Sequence, residues 1–96
     1  MSDVSPEATV VHDTAAQQFR VGEGDGAAVL VYRLEPGTIT FAHTEVPDAF
    51  RGQGIAQKLA RAGLEHARAK DLRVEPTCPF VRSYIAKHPE YQALLG

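Results

Sequence analysis

The stretch from Thr44 to Ala56 constrains this chain most, because the side-chain periodicity changes across it. Before it, Thr38–Val46 reads as a strand; after it, apolar residues recur at helical spacing. Between them stand Pro47, which ends the strand, and two glycines, Gly52 and Gly54. A glycine-bearing turn that opens a helix presents backbone N–H groups without intrahelical partners at the positive end of the helix dipole. Such a turn is a ready anion site, and phosphate is its usual occupant.

The rest of the chain fits around this junction. Residues 1–8 are polar, contain Pro6, and are expected to be a flexible N-terminus, with one domain over residues 9–96. Strands are expected at Thr9–His12, Gln18–Val21, Ala27–Leu34 and Thr38–Val46. The third is nearly apolar throughout and should be central. Asp13-Thr14, Gly22–Gly26 and Glu35-Pro36-Gly37 supply the turns. The Gly22–Gly26 segment lacks the ligand spacing and closing Glu of a calcium loop. A helix should start near Gly52 or Gln53 and run to about Lys70. Its inner face is Ile55, Leu59, Gly63 or Ala62, and Ala67, broadened by Ala56, Ala60 and Leu64. Small residues on that face would let the helix lie close on a sheet. Leu72–Val74 reads as a fifth strand. Pro79 suits the first position of a second helix, which Phe80, Val81, Tyr84 and Ile85 would bury. His88-Pro89 breaks that helix, and Glu90–Leu95 forms a last short one. The order β-β-β-β-α-β-α-α is an α+β layout: an antiparallel four-strand meander, then α-β-α-α in a mixed sheet.

Composition removes several function classes. With 96 residues and 44% hydrophobic content, one small core is affordable. A formal net charge of −2 argues against general nucleic-acid binding. A lone cysteine excludes an internal disulfide framework. No secretory signal or membrane-spanning run is visible, so a cytoplasmic protein without membrane partners is expected. His12 and His66 have no partners at metal-ligand spacing, and no metal is expected.

Two familiar phosphate loops do not fit. A Walker loop needs Lys and a hydroxyl directly after its last glycine; here the chain beyond the glycines runs on to Gln57-Lys58-Leu59, with nothing placed to hold the metal. A dinucleotide fingerprint needs a third small residue where Gln57 stands, and a larger sheet than the remaining chain can build.

Arg51-Gly52-Gln53-Gly54-Ile55-Ala56 does fit the pattern Gln/Arg-x-x-Gly-x-Gly/Ala. It resembles the pyrophosphate-binding motif of the GNAT superfamily of acyl-CoA-dependent N-acyltransferases. Flanking segments extend the resemblance: Cys78-Pro79-Phe80-Val81, and His88-Pro89-Glu90-Tyr91. The ordered set is similar to small single-domain GNAT-like proteins over residues 9–95. It implies a minimal GNAT-like fold that lacks the usual helical insert between the first two strands. It also implies acetyl-CoA as donor and an amine as acceptor, with the cofactor held at Val46, Arg51, Gly52, Gln53, Gly54, Ile55 and Ala56. Arg51, Lys58 and Arg61 could add charge near the 3′-phosphate, or simply form a solvated helix face.

Chemistry in such a site needs three things: a held pyrophosphate, a base for the amine, and a proton for the departing thiolate. Cys78, ahead of Pro79, would be an N-cap, where the helix dipole favours thiolate. The resemblance puts it beside the thioester, as general acid or transient acyl acceptor; the alternative is a small buried hydrophobe. His43 lies on the strand entering the loop and is the first candidate base. Glu45 shares its face if the strand is regular, and a bulge would change that. The acidic residue many GNAT enzymes carry at the start of this strand is replaced here by Thr38 and Thr40. Tyr84 and Tyr91 read as core residues, and His88 as a cap. The competing functional class is a non-catalytic acyl-CoA-binding or interaction module with a degenerate site; an anion-binding accessory subunit is a third. With little chain left for a lid, the acceptor side is expected to be open to a small amine or a protein tail, or completed by a partner protein.

Overall fold

A computed structural model describes residues 10–50 and 52–95; of Asp25 only the backbone is described. The expected flexible N-terminus and the start of the first expected strand, at Thr9, lie outside the described residues.

Five strands form one sheet: β1 (Val11–Asp13), β2 (Gln18–Val21), β3 (Ala28–Glu35), β4 (Thr38–Glu45) and β5 (Arg73–Pro76). Their order across the sheet equals their order in the chain. β1 to β4 pair antiparallel, and β5 lies parallel to β4. The nearly apolar β3 is central, as its composition implies. A 15-residue helix, α1 (Ile55–Ala69), connects β4 to β5. Helix α2 (Pro79–Lys87) follows β5, and a 3-10 helix over Pro89–Leu95 ends the described chain.

Alternation in the strands sorts the sheet into two faces. Phe19, Val21, Ala28, Leu30, Tyr32, Ile39, Phe41 and Val74 are buried together, and registry places them on one face. α1 covers that face with Ile55, Leu59, Ala60, Gly63, Leu64 and Ala67. Val81, Tyr84 and Ile85 of α2 and Tyr91 of the last 3-10 helix join the same core. The other face carries Gln18, Arg20, Val29, Val31, Arg33, Thr38, Thr40, Arg73 and Glu75, all half-buried or exposed.

Gly63 is where helix and sheet come closest. A Cβ added there would sit 2.8 and 2.9 Å from ring carbons of Phe41 and 3.1 Å from Leu30 Cδ2. Absence of a side chain therefore sets the depth at which α1 lies on β3 and β4.

α1 begins at Ile55, two or three residues later than its sequence suggests. Gly52 and Gly54 both hold left-handed φ values, +79° and +69°, which an ongoing helix cannot contain. They belong to the loop, with Gly54 as N-cap.

β4 contains one irregularity with consequences for the site. Tyr32 opposes Phe41, yet Val31 opposes His43, so Ala42 is an extra, unpaired residue. Strict alternation after Ile39 and Phe41 would point residue 43 at the helices. The bulge passes that orientation to Thr44 and leaves His43 and Glu45 on the open face.

The C-terminal tail is tied down by side chains. Tyr91 donates from its hydroxyl to Glu65 of α1 at 2.6 Å, and Arg68 lies 5.6 Å from the Tyr91 ring centre. This hydrogen bond, before the nearby Arg68 charge, holds the Glu65 carboxyl below its ordinary range. Burial, followed by Glu65, pushes the Tyr91 phenol up to about 12. His88 caps α2, its ring stacked on Tyr84 at 3.9 Å and its Nδ1 2.8 Å from the Tyr84 carbonyl oxygen.

Candidate active site

The ends of β4 and β5 and the starts of α1 and α2 meet at one edge of the sheet. In sheets with parallel strands this carboxyl end is where ligands bind. Pairing between β4 and β5 stops at Phe41 and Pro76. The Phe41 carbonyl then accepts from the Cys78 amide at 2.9 Å and from the Thr77 hydroxyl at 3.2 Å. These two bonds close the ladder and turn the chain into α2.

The loop between β4 and α1 is held from within. A 3-10 turn, Asp48–Phe50, follows Pro47, and the Phe50 amide donates to the Pro47 carbonyl at 2.9 Å. The Phe50 ring packs against Gly22, anchoring the loop to the β2–β3 connection. Gln53 is spent on this scaffold: its amide donates to the Phe50 carbonyl at 3.3 Å and its side chain to the Ala49 carbonyl at 3.2 Å. Gly54 supplies no capping side chain. The first-turn amides of Ile55, Ala56 and Gln57 have no intrahelical acceptor by construction and face the loop. A Cβ at Gly52 would meet nothing within 4 Å, and one at Gly54 only Gln57 Oε1 at 3.9 Å. Beyond their chain neighbours, no described residue crowds these two glycines. Val46 is half-buried against the core at the entry of the loop. Arg51 lies outside the described residues.

Cys78 is the N-cap of α2, followed by Pro79 at the first helical position. Its side chain makes no capping hydrogen bond. The sulfur instead lies 3.1 Å from Thr44 Oγ1. The residue is 4% exposed and belongs to the core cluster, so the buried-hydrophobe environment and the N-cap position coexist.

His43 and Glu45 are exposed on the open face, with His43 Nε2 3.5 Å from Glu45 Oε1. The structure thus makes two pairs, Thr44 with Cys78 and His43 with Glu45, on opposite faces of β4. Thr44 carried no sequence signal, because its orientation depends on the bulge at Ala42.

A second histidine cluster lies away from this edge. His12 stacks on Phe19 at 4.2 Å, meets His66 edge-on at 4.5 Å, and has Nε2 2.6 Å from the Tyr32 hydroxyl. Burial first, and for His66 then the charges of His12 and Lys70, hold both imidazoles below their ordinary value of 6.5; Asp13 partly offsets this at His12. Among the described residues no group of three His, Cys, Asp or Glu side chains could hold a metal ion. No described helix is long and apolar enough to cross a membrane.

A mixed sheet, a glycine loop capping the crossover helix, and a second helix starting beside it define an acyltransferase-type α+β domain. Comparison with known proteins agrees. The family model for GCN5-related N-acetyl-transferase matches residues 17–94, and the chain belongs to that family. It is 39% identical over 95 residues to Protein NATD1 of Xenopus tropicalis, covering 96% of this chain and 87% of the relative. The human Protein NATD1 is 39% identical over 88 residues, covering 88% and 78%. An NMR solution structure of a GCN5-like protein from Staphylococcus aureus superposes with a TM-score of 0.74 at 28% identity, over 94% of this chain and 89% of that one.

Proposed function

We propose that the protein transfers an acetyl group from acetyl-CoA to an amine. The observation that carries this reading is the left-handed Gly52–Gly54 loop at the same sheet edge as the Cys78 thiol. The two are what a thioester with a pyrophosphate handle needs. Amides of Gly54, Ile55 and Ala56 would take the pyrophosphate, Gly52 would let it approach, and Gln53 would hold the loop in shape. Val46 would border the pantetheine arm, and Arg51 would add positive charge at the loop. Acetyl-CoA supplies the activated acyl group.

The opposed faces of β4 support a division of labour. On the open face, His43, oriented by Glu45, takes the proton of the attacking amine. On the helix face, Cys78 gives its proton to the departing CoA sulfur as the carbon–sulfur bond breaks. An acceptor can reach the open face from solvent, as a small amine or a protein tail.

Thermal shift with acetyl-CoA tests the reading. At a hundredfold excess over Kd, ligand should stabilise the fold by about 2.7 kcal/mol. Gly54→Val, which forces a branched side chain into a left-handed position, should remove most of this. No shift at millimolar acetyl-CoA would refute the reading. A shift without turnover across an amine screen would favour a non-catalytic acyl-CoA-binding module. Acetylated Cys78, detected by mass spectrometry without amine present, would make the thiol an acyl acceptor instead of an acid.

A further inference from the structure

Thr44 has a hydroxyl where a strand position turned toward a core would ordinarily carry an apolar β-branched residue such as valine. A half-buried hydroxyl costs free energy unless it finds a partner. Its partner here is Cys78 Sγ at 3.1 Å, on a side chain that forgoes the usual N-cap bond to its own helix. Two departures from regularity produce this contact. Ala42 bulges, which turns Thr44 rather than His43 to the helix side. Thr77 and Cys78 close onto the Phe41 carbonyl, which brings the start of α2 up to β4.

We propose that Thr44 is a positioning residue for Cys78, holding its thiol at the end of β4 and donating a hydrogen bond to the sulfur once its proton has left. The inference rests on the reading of Cys78 as proton donor. In that step the Cys78 S–H bond breaks, the proton joins the departing CoA sulfur, and the electron pair stays on Cys78. The Thr44 O–H turns from acceptor to donor and keeps its own proton. Water reprotonates Cys78 afterwards. A hydroxyl can serve both states because it donates and accepts, which no apolar side chain can do. A hydrogen bond to the charged form favours that form.

The test is the pH dependence of thiolate absorbance in the ultraviolet, clean because Cys78 is the single cysteine of the chain. Cys78→Ala provides the baseline. Thr44→Val should leave less thiolate than wild type at a given pH, because the hydroxyl that can donate to the charged form is gone. Thr44→Ser should keep the wild-type midpoint. With acetyl-CoA and an amine, Thr44→Val should lower kcat with little change in the KM for acetyl-CoA, and Thr44→Ser should restore most of it. Thr44→Ala serves as a second variant without the hydroxyl if valine unfolds the protein. An unmoved midpoint in both the valine and alanine variants, or a serine variant that behaves like them, overturns the role of Thr44. If Cys78→Ala transfers acetyl groups at the wild-type rate, the reading of Cys78 fails, and Thr44's part in transfer with it. If Cys78→Ala is impaired while the midpoint stays put, Cys78 stands and Thr44 alone falls.

Discussion

Replacing Gly63 by alanine sets two effects of known sign against each other. Gly63 sits in the middle of α1, and alanine there should gain about 1 kcal/mol of helix propensity. The new methyl would stand 2.8 and 2.9 Å from the Phe41 ring and 3.1 Å from Leu30 Cδ2. Carbons attract at about 3.5–4.0 Å, so either the ring or the helix must move by several tenths of an ångström. Phe41 is fully buried and Leu30 is 1% exposed, so neither has free space to enter. Overpacking of this kind costs about 1–3 kcal/mol. The loss should therefore win by about 1 kcal/mol, which for a chain of this size lowers Tm by about 4–8 °C. Thermal and urea unfolding, followed by circular dichroism, measure it. Repeating the substitution in a Phe41→Leu background should turn the change neutral or stabilising, with a coupling of about 0.5–3 kcal/mol. A Gly63→Ala protein that melts above wild type would refute the close approach, because propensity alone would then account for the result.

Three further outcomes are expected. His43→Gln should lower turnover while leaving the acetyl-CoA thermal shift nearly intact; parallel loss of binding and Tm would make His43 structural. His12 and His66 have depressed folded values, so the unfolded chain binds more protons just below pH 6.5. Their contribution is complete above that pH and is lost as pH falls through the folded values. A Tm-against-pH curve should therefore fall there and flatten in His66→Gln, and a Tm that rises on acidification would contradict the cluster's effect. Tyr91→Phe should lower Tm by several degrees and speed proteolysis of the tail by removing the 2.6 Å bond to Glu65, and unchanged proteolysis would show that packing alone holds the tail.

Local patterns were legible and long-range orientation was not. Gln18–Val21 is a strand by both sequence and structure, and β3 and β4 were placed to within a residue at either end, because turn residues bracket their apolar runs. The buried face of α1 was readable from its spacing, and the N-cap position of Cys78 from the proline after it. Periodicity alone starts α1 too early, because it does not reveal that two glycines hold left-handed φ. No local signal marks the bulge at Ala42, a mismatch in length between two strands. The shared face of His43 and Glu45 was legible as a two-residue spacing, but the face it would be was not. His12 and His66 are far apart in sequence and share no metal-ligand spacing; their ring contact follows from α1 folding back over the first hairpin.

The sheet's neighbour order equals its chain order, so no strand has to insert between two already paired. β1 to β4 can zip up one hairpin at a time, each closing a short loop. Only β5 must cross back over the length of α1 to find its partner, and it brings Cys78 with it. The meander can exist before the candidate site does; the site cannot exist before β5 docks. The β4–β5 joint is thus the one on which the candidate site depends, and a change that loosens it should disassemble that site while most of the sheet remains intact.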